Sequence, residues 1–428
     1  MFNQSGPLST KNSIVELIRD MEYKHYYRPS MSFLDLHAAY RTFFGKGDAL
    51  YQLFAPYRIC PLGAHVDHQH GLVSGFAFDS GIDFLFSATD SGKVEMASLS
   101  FEGLMTFNVQ RPVDEKQGNW GDYLRGAVWA LQQDFHLEKG IRGIIKGSMP
   151  IGGLSSSAAL LCGFVMAIDK VNHLGLTRQQ IIDYASIAER KYVGLNNGIL
   201  DQACVVLCES DKLLYLDTET GEHRLIPFGG DNPQPLPFKL GIFFSGVTRK
   251  LTGTDYNLRV SECKTAAWIV QAYENEHLKE LQDTRLRDIP EDRFEKHAGQ
   301  MPERFARRAR HFFTECDRVS DGVRAWEEGD IEKFGQYVFE SCESSMNNYE
   351  CGSPELIELY HIMRRTPGIY GGRFSGAGFK GACIALIDPT KESEIKAFVT
   401  NEYLAKYPQY RDSFEIFFCN PANGVDFL

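Results

Sequence analysis

The sequence predicts an α+β fold in two domains, on three observations. The chain has 428 residues, more than one ordinary core holds and suited to two domains of about 200 residues each. A run dense in Pro, Gly, Asp and Asn, Pro227–Pro237, divides it nearly in half as a linker or long turn does. The boundary is therefore placed between residues 1–230 and 231–428. Strand-like and helix-like stretches are mixed without the regular βα alternation of a doubly wound sheet.

Taken in order, a helix is expected over Ile14–Met21, and strand-like runs follow over Leu72–Ala88 and Lys93–Val109. Two helices come next, near Ser155–Asp169 and Arg178–Val193. The second opens on a capping box, Thr177 with Gln180, and places Ile181, Ala185, Ala188 and Tyr192 on one apolar face. After the linker come a strand at Lys239–Ser245 and several helices. One of these starts at Ser353-Pro354, an N-cap followed by proline at N1, and stops before Pro367. Strands at Ala382–Asp388 and Phe414–Phe418 close the chain.

Charge narrows the function classes. With 45 Lys+Arg against 56 Asp+Glu, the net charge is −11, so no nucleic acid and no anionic membrane surface is expected as a partner. The start lacks a basic segment followed by an apolar one, and ten cysteines show no C-x-x-C spacing. Reduced thiols and a cytoplasmic location are expected. The longest apolar stretch, Ala158–Ile168, is far short of the roughly 20 residues that span a bilayer.

Two glycine-rich segments can approach phosphate. The first, GSMPIGGLSSSAA (Gly147–Ala159), runs into an apolar helix whose opening N–H groups favour anions. One serine would suffice as an N-cap; three after a glycine pair add hydroxyls for phosphate oxygens or Mg²⁺. No Walker loop and no nucleophile elbow occurs. The second, SGAGFKG (Ser375–Gly381), contains GxGxxG, but it runs into a strand pattern rather than a helix, so the dinucleotide reading fails. A glycine turn packed against the first loop fits better.

A polar cluster spans Arg58–His70. If extended, it sets His65 and Asp67 on one face and His68 and His70 on the other. A metal site would need a tight turn, and the helical H-x-x-x-H spacing is missing. A substrate-hydroxyl site, with Asp67 accepting and His65 bridging, suits the residues better, while the alternative for Arg58 is a plain structural ion pair. In NNGILDQ (Asn196–Gln202), Asp201 lies among apolar residues and is expected to be substantially buried, which makes it a candidate for proton transfer. Glu189-Arg190-Lys191 reads either as a solvated charge run or as placing Glu189 near a metal at the phosphate loop.

In order, these segments resemble the GHMP small-molecule kinases, and within them the galactokinases. PIGGLSSSAAL is similar to the family's phosphate loop, RFSGAGFKGACIAL to its C-terminal glycine motif, and NGILDQ to the galactokinase GIMDQ segment. WGDYLRG (Trp120–Gly126) and TDYNLR (Thr254–Arg259) are similar to further elements, and the likeness covers essentially residues 40–428. It implies the two-domain GHMP kinase fold, with ATP and a sugar bound between the domains and phosphate transferred to the anomeric hydroxyl. It further implies Asp201 as the base and Arg58 as the group that keeps it ionised and meets the γ-phosphate. Ser157 and Glu189 would hold Mg²⁺. Trp120, Pro150, Gly152, Gly153, Ser155, Ser156, Ser157, Gly376 and Gly378 would take ATP. Ala64, His65, Asp67, Gly198 and Tyr256 would face the sugar.

One departure bears on the substrate. Galactokinases read GRVNLIGEHTD where this chain has YRICPLGAHVD, so Ala64 replaces a glutamate that lies beside the sugar's C6 hydroxyl. Two like charges about 4 Å apart cost about 4 kcal/mol at an effective dielectric of 20. Removing that glutamate therefore admits a C6 carboxylate. With APYRICPLGAH, FSG and NYECG, the chain resembles the galacturonokinase branch, which implies D-galacturonate as acceptor. Arg249, Lys250, His68 and Tyr57 are candidates to read the carboxylate, Arg249 being favoured for bidentate pairing. The alternatives are a galactokinase or other neutral-sugar 1-kinase, and a non-catalytic sugar sensor. No protein partner is implied, and action as a monomer is expected.

Overall fold

The computed structural model describes residues 33–45, 49–113, 115–150, 152–247, 255–275 and 278–428. The helix expected over Ile14–Met21 lies outside the described residues, as do Arg249 and Lys250.

The first half builds a large mixed sheet. Helix α1 (Phe33–Phe44) precedes β1 (Tyr51–Ile59), β2 (Leu72–Thr89), β3 (Lys93–Ser98) and β4 (Leu104–Asn108). Then come α2 (Gly121–Leu131), β5 (Gly140–Gly147), α3 (Ser156–Asn172), α4 (Arg178–Ile187), α5 (Leu200–Leu207), β6 (Lys212–Asp217) and β7 (His223–Pro227). The single run read over Lys93–Val109 is thus two strands. It breaks at residues 99–103, where Gly103 turns the chain with φ of 95°.

Strand β2 organises the sheet, because its two ends pair with different neighbours. Residues Ile82–Thr89 pair with β5 and Leu72–Gly75 with β6, while β1 lies antiparallel along the middle. The strand alternation sends Phe84 and Phe86 into the main core with α3, and Leu85 into a separate cluster with Leu36 and Tyr40 of α1. Helices α2 to α5 therefore cover one face, and α1 lies against the other.

The second half holds β8 (Lys239–Phe244), α6 (Tyr256–Tyr273), α7 (Glu291–Ala298), α8 (Glu303–Glu327), α9 (Ile331–Ser344), α10 (Pro354–Arg365), β9 (Ile369–Phe374), β10 (Ala382–Ile387), α11 (Glu392–Lys406) and β11 (Glu415–Cys419). Its four-stranded antiparallel sheet runs β11-β8-β10-β9. Every residue of β10 is buried, which accounts for its unbroken apolar sequence. Ser353 caps α10 by accepting from the Leu356 N–H, as its sequence indicates.

Two features tie the halves together. The long helix α8 reaches back to the first half, where the Trp326 indole N–H donates to the Ile226 carbonyl at 2.9 Å. The chain end also returns: β12 (Pro421–Ala422) pairs with β2, and β13 (Asp426–Phe427) with β1. Among the described residues no helix is long and apolar enough to cross a membrane.

Candidate active site

A cavity of about 370 Å³ opens where the two halves meet, lined by residues 58–201 of the first and 256–377 of the second. Its floor is the loop before α3. Gly153 takes φ of 79°, and Ser155, the N-cap of α3, takes the left-handed conformation with φ of 55°. The two glycine segments pack backbone on backbone, as the sequence indicated. A Cβ on Gly376 would lie 2.7 Å from the Gly153 Cα, and one on Gly152 would lie 2.9 Å from the Gly381 Cα. The Ser375 hydroxyl donates to the Gly153 carbonyl at 2.6 Å. No side chain caps α3, so its first N–H groups remain available to an anion.

The reason Ser155 leaves the helix uncapped is that its hydroxyl donates to Asp201 Oδ2 instead. Asp201 stands in the first turn of α5, and its other oxygen accepts from Arg58 Nε at 2.7 Å. Arg58 reaches from β1 and also donates to the Gly153 carbonyl at 2.9 Å. One guanidinium thus fixes both the carboxylate and the loop. The aspartate is half-buried rather than substantially buried, because it forms part of the cavity wall.

Glu189 departs from the charge-run reading. Helix α4 gives way to a π-helical turn, Ala188–Val193, which buries Glu189 while Arg190 and Lys191 stay exposed; such turns occur often at functional sites. Burial pushes its carboxyl up, as does the charge of Asp201, against hydrogen bonds from Asn197, Ser157 and Gln202. Among the described residues no trio of His, Cys, Asp or Glu converges. A hydroxyl and a carboxylate beside a phosphate loop fit Mg²⁺, which takes few protein ligands and completes its shell with phosphate and water.

The stretch His65–His70 is not extended: it is a tight turn with one 3-10 segment, Asp67–Gln69, and left-handed residues at His65 and His70. Strain of this kind persists only where the surroundings fix it. Here they do. Glu315 of α8 accepts the Gly63 N–H at 2.8 Å, and His311 meets the Ala64 carbonyl at 3.0 Å. The Tyr349 ring stacks on His65 at 4.3 Å. His311 must donate through Nε2, since a carbonyl only accepts, leaving Nδ1 to accept from Ser344. Burial drives His65 well below the usual range, His68 down to about 3 and His311 to about 4, so all three are neutral at pH 7. Burial raises Asp67 to about 6, helped by Asp201. A Cβ on Gly198 would lie 2.4 Å from Asp67 Oδ2, so only glycine fits beside that carboxylate.

The cavity wall brings together Arg58, Ala64, His65, Asp67, Gly152, Gly153, Ser155, Ser156, Ser157, Glu189, Asp201, Tyr256 and Gly376. Gly198 backs Asp67, whereas Trp120, Pro150, Gly378, Tyr57 and His68 lie outside the lining. The sequence reading missed Cys60, Tyr123, Asn197 and Phe374 as lining residues. Cys60 lay inside the quoted motif without a distinguishing signal; burial pushes its thiol up to about 12, so it is no nucleophile.

The family models for the N-terminal and C-terminal domains of the GHMP kinases match residues 122–209 and 323–406. The chain is 38% identical to a galacturonokinase of Arabidopsis thaliana over 380 residues, 84% of this chain and 88% of that protein. It is 31% identical to a galactokinase of Pyrococcus furiosus over 372 residues, 87% of this chain and 97% of that one. The crystal structure of Lactococcus lactis galactokinase complexed with galactose superposes with a TM-score of 0.84 at 26% identity, covering 92% of this chain and 100% of that one. With the glycine loops interlocked over a shared cavity and relatives matched along most of their length, the chain belongs to the GHMP kinase family.

Proposed function

We propose that this protein is an ATP-dependent sugar 1-kinase that phosphorylates the anomeric hydroxyl of D-galacturonate. The observation that carries the reading is the position of Asp201. It is held by Arg58 and Ser155 between the Gly152–Ser157 loop and the Ala64–Asp67 turn, in one cavity. Ala64 in the cavity wall and the likeness to the plant galacturonokinase support a sugar acid as acceptor.

In this reading Asp201 takes the C1 hydroxyl proton as the sugar oxygen bonds to the γ-phosphorus and the bridging P–O bond to ADP breaks. Such transfer needs positioning and charge stabilisation more than covalent catalysis. Arg58 holds the base in line. Loop and helix N–H groups take the phosphates, with Trp120, Pro150, Gly376 and Gly378 assigned to the nucleotide. Ser157 and Glu189 would hold Mg²⁺, which when bound neutralises phosphate charge. His65, Asp67 and Tyr256 face the sugar hydroxyls. Arg58 is the only Arg or Lys among the described lining residues, and it is already engaged. Arg249, whose guanidinium can pair bidentately with a carboxylate, is assigned to the C6 carboxylate. We assign the lobes to residues 1–230 and 231–428. We assign action as a monomer and a cytoplasmic location, the latter supported by use of ATP and by free cysteines.

The test is purified protein with Mg-ATP and a panel of galacturonate, glucuronate, galactose and N-acetylgalactosamine, following ADP release. Galacturonate should give the highest kcat/KM. Galactose far above galacturonate overturns the substrate, and no turnover of any sugar supports the non-catalytic sensor instead.

A pH dependence follows from Asp67. Its carboxyl, raised to about 6, is ionised at pH 7 and takes up a proton as pH falls through that value. It then loses an acceptor for the sugar. Below about pH 6, kcat/KM should therefore fall toward tenfold per unit. Asp67→Asn should have a low kcat/KM without that limb; a limb unchanged in Asp67→Asn would assign it to another group.

A further inference from the structure

Two amide side chains converge on Glu189 in an arrangement that phosphate transfer, as described, leaves unexplained. Asn197 Nδ2 and Gln202 Nε2 both donate to the same oxygen, Glu189 Oε2, at 2.8 and 2.6 Å. Only an NH₂ group can face a carboxylate oxygen in this way, so the orientation of each amide is fixed by chemistry. The consequence is that Asn197 Oδ1 and Gln202 Oε1 are buried without a partner among the described residues. Buried polar oxygens left unpaired are uncommon in folded proteins, and each calls for a physical reason. Gln202 is fully buried and Glu189 nearly so, so the Gln202 amide does not regain from solvent what it gives up.

We propose that Gln202 and Asn197 are positioning residues that set the affinity of the site for its divalent cation by holding Glu189. The inference rests on the reading of Ser157 and Glu189 as the Mg²⁺ ligands. Two donors on one oxygen fix the rotation of the carboxylate, keeping Oε1 apart from the amides. Gln202 follows Asp201 directly on α5. The same short helix therefore carries the proposed base and the support of the proposed metal ligand, and a shift of α5 would move both.

The test measures ADP binding by calorimetry with and without Mg²⁺, in the wild type and in Gln202→Met, Asn197→Ala and Glu189→Gln. Gln202→Met keeps the volume and removes the donor, and thermal melts establish that each variant is folded. The enhancement of ADP affinity by Mg²⁺ should fall about 10- to 100-fold in Gln202→Met, with ADP binding in EDTA unchanged. Asn197→Ala should show a smaller loss of the same kind. Loss of ADP binding equally with and without Mg²⁺, or an unchanged enhancement, overturns the positioning role. Glu189→Gln separates the two readings. If it leaves the enhancement intact, the metal site itself is misassigned; if it abolishes the enhancement while Gln202→Met does not, only the positioning role fails. For Gln202→Met variants too unstable to purify, Gln202→Glu supplies a second measurement, and its Mg²⁺ enhancement should also differ from the wild type.

Discussion

Asp201→Asn should lower kcat for galacturonate by about 10²–10⁴-fold, the usual contribution of a positioned general base. ADP should still bind with Mg²⁺. Asparagine is the informative replacement, because it keeps the shape: its Oδ1 can still accept from Arg58 Nε, while its NH₂ group takes the place of Oδ2 and donates to the Ser155 hydroxyl oxygen. Alanine removes turnover as well, but it leaves Arg58, which is only 4% exposed, without its carboxylate. Breaking a buried pair in that way costs about 3–5 kcal/mol of stability, so a loss of activity in Asp201→Ala would mix folding with chemistry. Two measurements decide the matter: single-turnover phosphate transfer and the melting temperature of each variant. A folded Asp201→Asn protein that turns over at the wild-type rate would mean that the sugar proton leaves by another route. Arg58 would then be serving the loop, through its bond to the Gly153 carbonyl, more than the carboxylate.

The parts of this site that were legible in the sequence are those whose chemistry is local. Glycine pairs followed by three serines mark a loop that must let a ligand approach its backbone, and the two glycine segments do pack together. The capping box at Thr177 and the cap at Ser353 are decided by residues three positions apart, and both form. What escaped depends on distant contacts. His65–His70 gives no local sign that His65 and His70 adopt left-handed backbone. That conformation is imposed by Glu315, His311 and Tyr349, roughly 250 or more residues further along the chain. Glu189 could be read two ways because it adjoins Arg190 and Lys191. The π-helical turn removes the charge-run reading by burying the glutamate, and no spacing in AERKYV announces such a turn. The Ser155 hydroxyl was legible as a phosphate or Mg²⁺ group, yet in the structure it serves Asp201. Two motifs 46 residues apart thus share one hydrogen bond.

Ala64→Glu should discriminate against galacturonate by about two to three orders of magnitude in kcat/KM, measured relative to galactose. Ala64 lines the cavity, and its carbonyl is anchored by His311, so the turn holds its Cβ in place. A carboxylate built there faces a C6 carboxylate at short range. At about 4 Å and an effective dielectric of 20 the repulsion is about 4 kcal/mol, close to a thousandfold; water in the cavity reduces it. Both substrates will also bear a common cost, because the new charge lies near Asp67, whose carboxyl is already raised to about 6. The ratio of the two sugars removes that common part. Ala64→Gln provides the control for volume, since it adds nearly the same bulk without charge. If Gln changes the ratio as much as Glu does, crowding rather than charge governs the site. If Glu lowers both sugars equally, position 64 does not see C6, and the preference for an acid sugar must come from the cation assigned to it, Arg249. Arg249→Ala would then carry the whole discrimination, raising KM for galacturonate while leaving galactose unaffected.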